Sequence, residues 1–316
     1  MKNITFSWFF TLLLLFALSR FSYADNRNSV PSCHITTQEV SVNGGVVRYH
    51  QAGTGPHILL LHGLFAQKEQ WDSVLCLLSE SGYSAIAPDL PGYGQSIGFP
   101  LAAYKLENQV AVLREFTSRL GIDGFELAGS SMGGTIAVLY AGHYPSQVRS
   151  LAFIGSPFGI TEWSAEIRNA IYQGVNPFIP IDISQFDLEM SLLFVNPPAI
   201  PESVKEAQVK DYVERNRHYQ QVWDIVNLYT NTLNVHSKLN IPTLIIWGEG
   251  DHVFAVDGAK RLQFRFPHSK LVKLPNTGHL PMLENAMETA TIYLRFLKSC
   301  HTRRCLILLN TASFKF

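Results

Sequence analysis

Ser131, Asp251 and His279 are residues whose types and order along the chain could do chemistry together. A serine hydroxyl is a poor nucleophile until a base takes its proton, and an imidazole does this near neutral pH. The imidazole in turn needs a carboxylate to hold its tautomer and stabilise the imidazolium. Ser131 lies in Gly129-Ser130-Ser131-Met132-Gly133, a G-x-S-x-G pattern. A serine forced onto a sharp strand-to-helix turn needs neighbours two before and two after that carry no side chain. Gly129 and Gly133 meet that need. The turn would lift the Ser131 hydroxyl above a sheet edge and aim the first helical N–H groups at the spot where an oxyanion develops. Alone, the pattern is short enough to arise by chance between any strand and helix, so its partners decide its weight.

The alternatives for each partner are few. Glu249 and Asp257 flank Asp251, but Asp251 sits just past the apolar run Thr243-Leu244-Ile245-Ile246-Trp247, at the mouth of a strand. His252 and His268 compete with His279, yet His279 follows Gly278 in the loop after the last strand. His62, beside another strand end, reads as a residue that ties its loop by hydrogen bonds.

The elements that must position these residues alternate. Val40 to Tyr49, broken by Asn43-Gly44-Gly45, reads as a hairpin, and His57–Leu61 as a strand buried on both faces. A helix over Trp71–Ser81, a strand over Tyr83–Ala87, a helix over Ala103–Leu120 and a strand ending at the serine follow. The helix after the serine runs from Met132 to Tyr144, and Val148–Ile154 is a further strand. After Trp247 come helix Gly258–Phe266, strand Lys270–Leu274 and a final helix from Glu284 to Leu297. Strands alternating with helices imply parallel pairing through right-handed crossovers. The alternation fails over residues 157–236, where scattered prolines divide a helical run into short pieces, expected to form a lid over the strand ends. Its ten aromatic residues are about the frequency of the whole chain, 12%, so they are as readily its core as a pocket wall.

Four stretches together carry a family resemblance: Leu61-His62-Gly63, Pro88-Asp89-Leu90-Pro91-Gly92-Tyr93-Gly94-Gln95-Ser96, Gly129–Gly134, and Gly278-His279-Leu280-Pro281 with Glu284. The chain resembles capped serine hydrolases of the α/β-hydrolase fold, similar to bacterial lipases and esterases. That resemblance implies a mostly parallel sheet flanked by helices, with a helical cap inserted after the sixth strand. It implies the order Ser131, Asp251, His279 for nucleophile, acid and base, and an oxyanion hole from the backbone N–H groups of Leu64 and Met132. Cleavage of carboxylic esters, without a cofactor, is the expected activity. Thioester, proline-peptide and carbon–carbon bond hydrolysis remain alternatives, as does a ligand-binding member without turnover. Serine at 131 argues against dehalogenases and epoxide hydrolases, which carry aspartate there. Leu280 stands where carbon–carbon bond hydrolases typically carry tryptophan.

Composition bounds the rest. The 316 residues hold 25 Lys plus Arg and 25 Asp plus Glu, so no global field recruits nucleic acid. Lys2, the apolar run Phe6–Leu18 and Ser22-Tyr23-Ala24 read as a secretory signal peptide over residues 1–24. An uncleaved anchor is the lesser reading. Residues 25–39 read as a polar lead-in, 40–156 and 237–298 as the core, 157–236 as the cap and 299–316 as a tail. The expected partners are a small-molecule ester or lipid, with transient contact to a lipid surface compatible with it. An exported chain meets oxidising conditions, so a bridge from Cys33 or between Cys300 and Cys305 is permitted, while Cys76 reads as a buried thiol in an amphipathic helix. No clustered His/Cys spacing points to a metal.

Overall fold

The computed structural model describes residues 32–159, 162–228, 239–255 and 257–301. The signal-peptide reading, the tail from residue 302 with Cys305 and the last residues of the expected cap lie outside these. Eight strands form one sheet: β1 (Thr36–Val42), β2 (Gly45–Ala52), β3 (His57–Leu61), β4 (Ser84–Pro88), β5 (Phe125–Ser131), β6 (Val148–Pro157), β7 (Thr243–Gly248) and β8 (Ser269–Leu274). Their order is β1-β2-β4-β3-β5-β6-β7-β8. The β1–β2 hairpin joins β4 antiparallel, and every later pairing is parallel.

The central strands read as continuous apolar runs because both faces are covered. Along β3, Leu59 and Leu61 enter one core while Ile58 and Leu60 enter the other. In β7 the same alternation sends Ile245 and Trp247 one way and Leu244 and Ile246 the other. The first core is closed by α2 (Leu106–Arg119), α3 (Met132–His143) and α8 (Gly258–Arg265), the second by α1 (Asp72–Glu80) and α9 (Ala286–His301). Among the described residues, four helices stand between β6 and β7: α4 (Ala165–Tyr172), α5 (Ile183–Leu193), α6 (Glu202–Glu214) and α7 (Asn216–Asn227).

Three readings change. Strand β1 begins at Thr36, inside the segment read as a polar lead-in; as the edge strand it keeps most of its side chains in water, which hides the alternation. Helix α9 runs on to His301, beyond the core boundary placed at 298. Cys76 is not a buried thiol: it is disulfide-bonded to Cys33, tying the chain before β1 to α1.

Candidate active site

Ser131 is both the last residue of β5 and the N-cap of α3, with φ 50° and ψ −119°. A non-glycine residue in that conformation is strained, and such strain is held only where the surroundings impose it. The turn is tight enough that a Cβ on Gly129 would come within 2.3 Å of the Gly133 carbonyl, and one on Gly133 within 2.2 Å of the Leu61 carbonyl. The two glycines are therefore needed for close approach, for the steric reason their spacing suggests. Helix α3 starts at Met132, directly after the serine.

His279 lies in the loop after β8, 3% exposed, and Asp251 in the loop after β7, also 3% exposed. The ring Nδ1 of His279 is 3.1 Å from Asp251 Oδ2. The other carboxylate oxygen, Oδ1, accepts the backbone N–H groups of Val253 (2.9 Å) and Phe254 (3.1 Å), which fixes the direction in which Oδ2 faces. With Nδ1–H given to the carboxylate, Nε2 is the ring atom that can take a proton. Ser131 and His279 line one cavity together with Gly63 and Leu64. A Cβ on Gly63 would stand 3.3 Å from Ser131 Cβ, so the loop carrying the Leu64 N–H runs directly beside the serine.

That loop is held by buried polar side chains. His62 Nδ1 donates to the Gly63 carbonyl (2.8 Å) and its Nε2 accepts the Leu90 N–H (2.9 Å). Both nitrogens are thus committed to joining the loops after β3 and β4, and burial pushes the imidazole down to about 4. Gln70 Oε1 accepts the Gly63 N–H at 3.2 Å. Deeper, the fully buried Lys68 ammonium pairs with Asp89 (2.9 Å) and Glu69 (2.8 Å), while Asp89 also accepts the backbone N–H groups of Lys68 and Gln95.

The helices inserted after β6 reach the same loops. Their entry is stitched to the Asp251 loop by Ser164 N–H to the Val253 carbonyl and Ala255 N–H to the Glu162 carbonyl. The Trp163 and Phe254 rings stack there, 4.8 Å apart and 8° from parallel. The end of α5 meets the histidine loop: His279 N–H donates to the Leu193 carbonyl. The Glu284 carboxylate accepts from Gly278 N–H with one oxygen, and from Val195 and Asn196 N–H with the other. The cavity enclosed between these helices and the sheet has about 110 Å³ of free volume, less than the roughly 150 Å³ of an apolar cavity that takes one benzene ring. Unbranched Met190 on the wall is well suited to yield to a longer chain.

A sequence profile described as the α/β hydrolase fold matches residues 56–286. The chain belongs to this family. Among α/β-hydrolase relatives, Lipase 3 of Moraxella sp. (strain TA144) is 28% identical over 249 residues, 77% of this chain and 78% of that one. The monoacylglycerol lipase ABHD6 of Homo sapiens is 28% identical over 262 residues, 79% of this chain and 77% of its own length. A solved structure described as a membrane phospholipase A and bacterial virulence factor superposes with a TM-score of 0.79 at 30% identity, covering 85% of this chain and 87% of that one.

Within this α/β-hydrolase the competing candidates stand apart from the cavity. Glu249, Asp257, His252 and His268 are exposed, and Asp257 pairs with Arg261 while His252 faces Glu166. Sequence reading missed the Lys68–Asp89 pair, the clamp made by Glu284 and a buried polar group at Glu189, Gln208 and Tyr212. Asp89 and Glu284 stood in quoted motifs, so the signal was present without a partner to interpret it.

Proposed function

We propose that the protein hydrolyses carboxylic esters through an acyl-enzyme on Ser131. His279 Nε2 takes the hydroxyl proton as Ser131 Oγ attacks the acyl carbon, Asp251 holds the imidazolium that results, and the Leu64 and Met132 N–H groups receive the oxyanion. The tetrahedral centre then collapses, the ester C–O bond breaks, and His279 returns its proton to the leaving alcohol. Water repeats the sequence on the acyl-enzyme and releases the acid. One oxyanion donor contributes about 3–4 kcal/mol to such a step.

The observation that carries the reading is the buried His279–Asp251 contact of 3.1 Å, with His279 and Ser131 both lining a cavity walled mainly by apolar side chains. The lipase names of the relatives support a lipid ester as the substrate. The Cys33–Cys76 disulfide supports export, because such bonds persist in oxidising compartments; N-terminal sequencing of the protein from the extracytoplasmic fraction, expected to begin at Asp25, tests cleavage after Ala24. The activity itself is tested with p-nitrophenyl esters from acetate to palmitate. Hydrolysis by the parent and none by Ser131→Ala is expected, with unchanged circular dichroism. Equal hydrolysis by both overturns the assignment.

A further inference from the structure

The cavity beside Ser131 is apolar over most of its wall, with one polar stretch supplied by the inserted helices. Glu189 of α5 and Gln208 and Tyr212 of α6 face it, each 6% exposed. Gln208 and Tyr212 are four residues apart on one helix and so share a face, and α5 packs against α6. The Tyr212 hydroxyl donates to the Glu189 carboxyl, which burial pushes up to about 8, so at neutral pH it keeps a proton it can donate. Gln208 Oε1 is buried and has no hydrogen-bond partner. Leaving a buried acceptor unpaired forfeits the hydrogen bonds it makes to water in the unfolded chain. An unpaired acceptor and a protonated acid thus line the same cavity as Ser131 and His279.

A hydroxyl group fits that pair, since it can donate to Gln208 Oε1 while accepting from Glu189. We propose that Glu189, Gln208 and Tyr212 form a subsite that reads a hydroxyl on the substrate, so that the enzyme selects hydroxylated esters over plain ones of the same size. The proposal rests on the ester-hydrolase reading, and the hydroxyl can be carried by the alcohol, as in a glycerol monoester, or by the acyl chain. Apolar walls on either side bind the hydrocarbon of either kind without distinguishing them, and the subsite supplies the discrimination.

The test uses Ser131→Ala protein and uncleavable ethers in three forms: an alkyl glycerol ether, the alkyl propyl ether of the same chain, and an alkyl propyl ether with a hydroxyl at the far end of its alkyl chain. Binding is followed by tryptophan fluorescence, to which Trp163 on the cavity wall contributes. One hydroxylated ether should bind about tenfold tighter than the plain one, as a net hydrogen bond of about 1–1.5 kcal/mol implies, and which one does so identifies the source. Adding Gln208→Met should bring the ratio close to one, while Glu189→Gln, which keeps a donor and an acceptor, should preserve most of it. Glu189→Leu provides a second loss-of-function variant where Gln208→Met does not fold. Equal binding of all three ethers, or a ratio untouched by both apolar variants, overturns the subsite. Because the measurement needs no turnover, failure of the parent enzyme to hydrolyse esters would refute the proposed activity and leave this result to stand or fall by itself.

Discussion

His62 shows how a residue next to the chemistry can matter without entering it. Its two ring nitrogens join the loops that follow β3 and β4, and only the neutral ring can accept the Leu90 N–H. The folded imidazole titrates at about 4 against an ordinary 6.5, so between those values the unfolded chain binds the extra proton. The contribution of His62 is therefore complete above pH 6.5 and is lost as pH falls through 4, amounting to about 3 kcal/mol over the window. Urea midpoints from pH 7 to 4 should fall less steeply for His62→Asn, which removes the titrating group, than for the parent. Lys68 makes a separate prediction. Lys68→Met leaves Asp89 charged and buried without its cation and should destabilise the fold by about 3–5 kcal/mol, read by denaturant titration. That Ser131, Asp251 and His279 come together was legible in the sequence because small residues and strand ends mark such positions locally. Lys68 and Glu189 were not, since a charged residue in a polar stretch reads as solvated and the groups that enclose each come from distant parts of the chain.

At the scale of elements, the inner parallel strands were legible as apolar runs because they are buried on both faces, and the helices that cover them by their spacing. The start of edge strand β1, residues 36–39, was not, because mostly exposed side chains leave no period to read, whereas its end was legible in the hairpin it makes with β2. The inserted helices were recognisable as helical, but their contacts were hidden: the Leu193 carbonyl on the His279 N–H and Glu284 on the Gly278, Val195 and Asn196 N–H groups join segments far apart in sequence. Glu284 thus acts as a positioning residue that holds the histidine loop against the end of α5. Glu284→Ala should lower kcat by about ten- to a hundredfold, the scale of loss from a misplacement near 1 Å, with KM changed less. Glu284→Gln retains one acceptor and should recover part of the rate. Equal kcat in Glu284→Ala and the parent would show that the loop keeps its place without the clamp.

For the molecule as a whole, the disulfide closes the chain from before β1 to the helix that follows β3. Cys33 and Cys76 are 43 residues apart, and a loop of that length is worth about 4 kcal/mol in the chain-entropy account. Reducing agent, or Cys33→Ala with Cys76→Ala, should lower the unfolding free energy by an amount of that order, with hydrolysis unchanged at temperatures where the fold persists. The pairing was open in the sequence because Cys76 sits in an amphipathic run that equally suits a packed thiol, and only the return of residues 32–35 against α1 brings Cys33 to it. The central claim is tested most directly by intact-mass spectrometry after exposure to a p-nitrophenyl alkylphosphonate, which a serine nucleophile attacks with loss of p-nitrophenolate. The account predicts one alkylphosphonyl group added to the parent, mapped to Ser131 by peptide analysis and accompanied by loss of ester hydrolysis, and none added to Ser131→Ala. Labelling at another residue with hydrolysis lost, or undiminished hydrolysis after Ser131 is labelled, would contradict it.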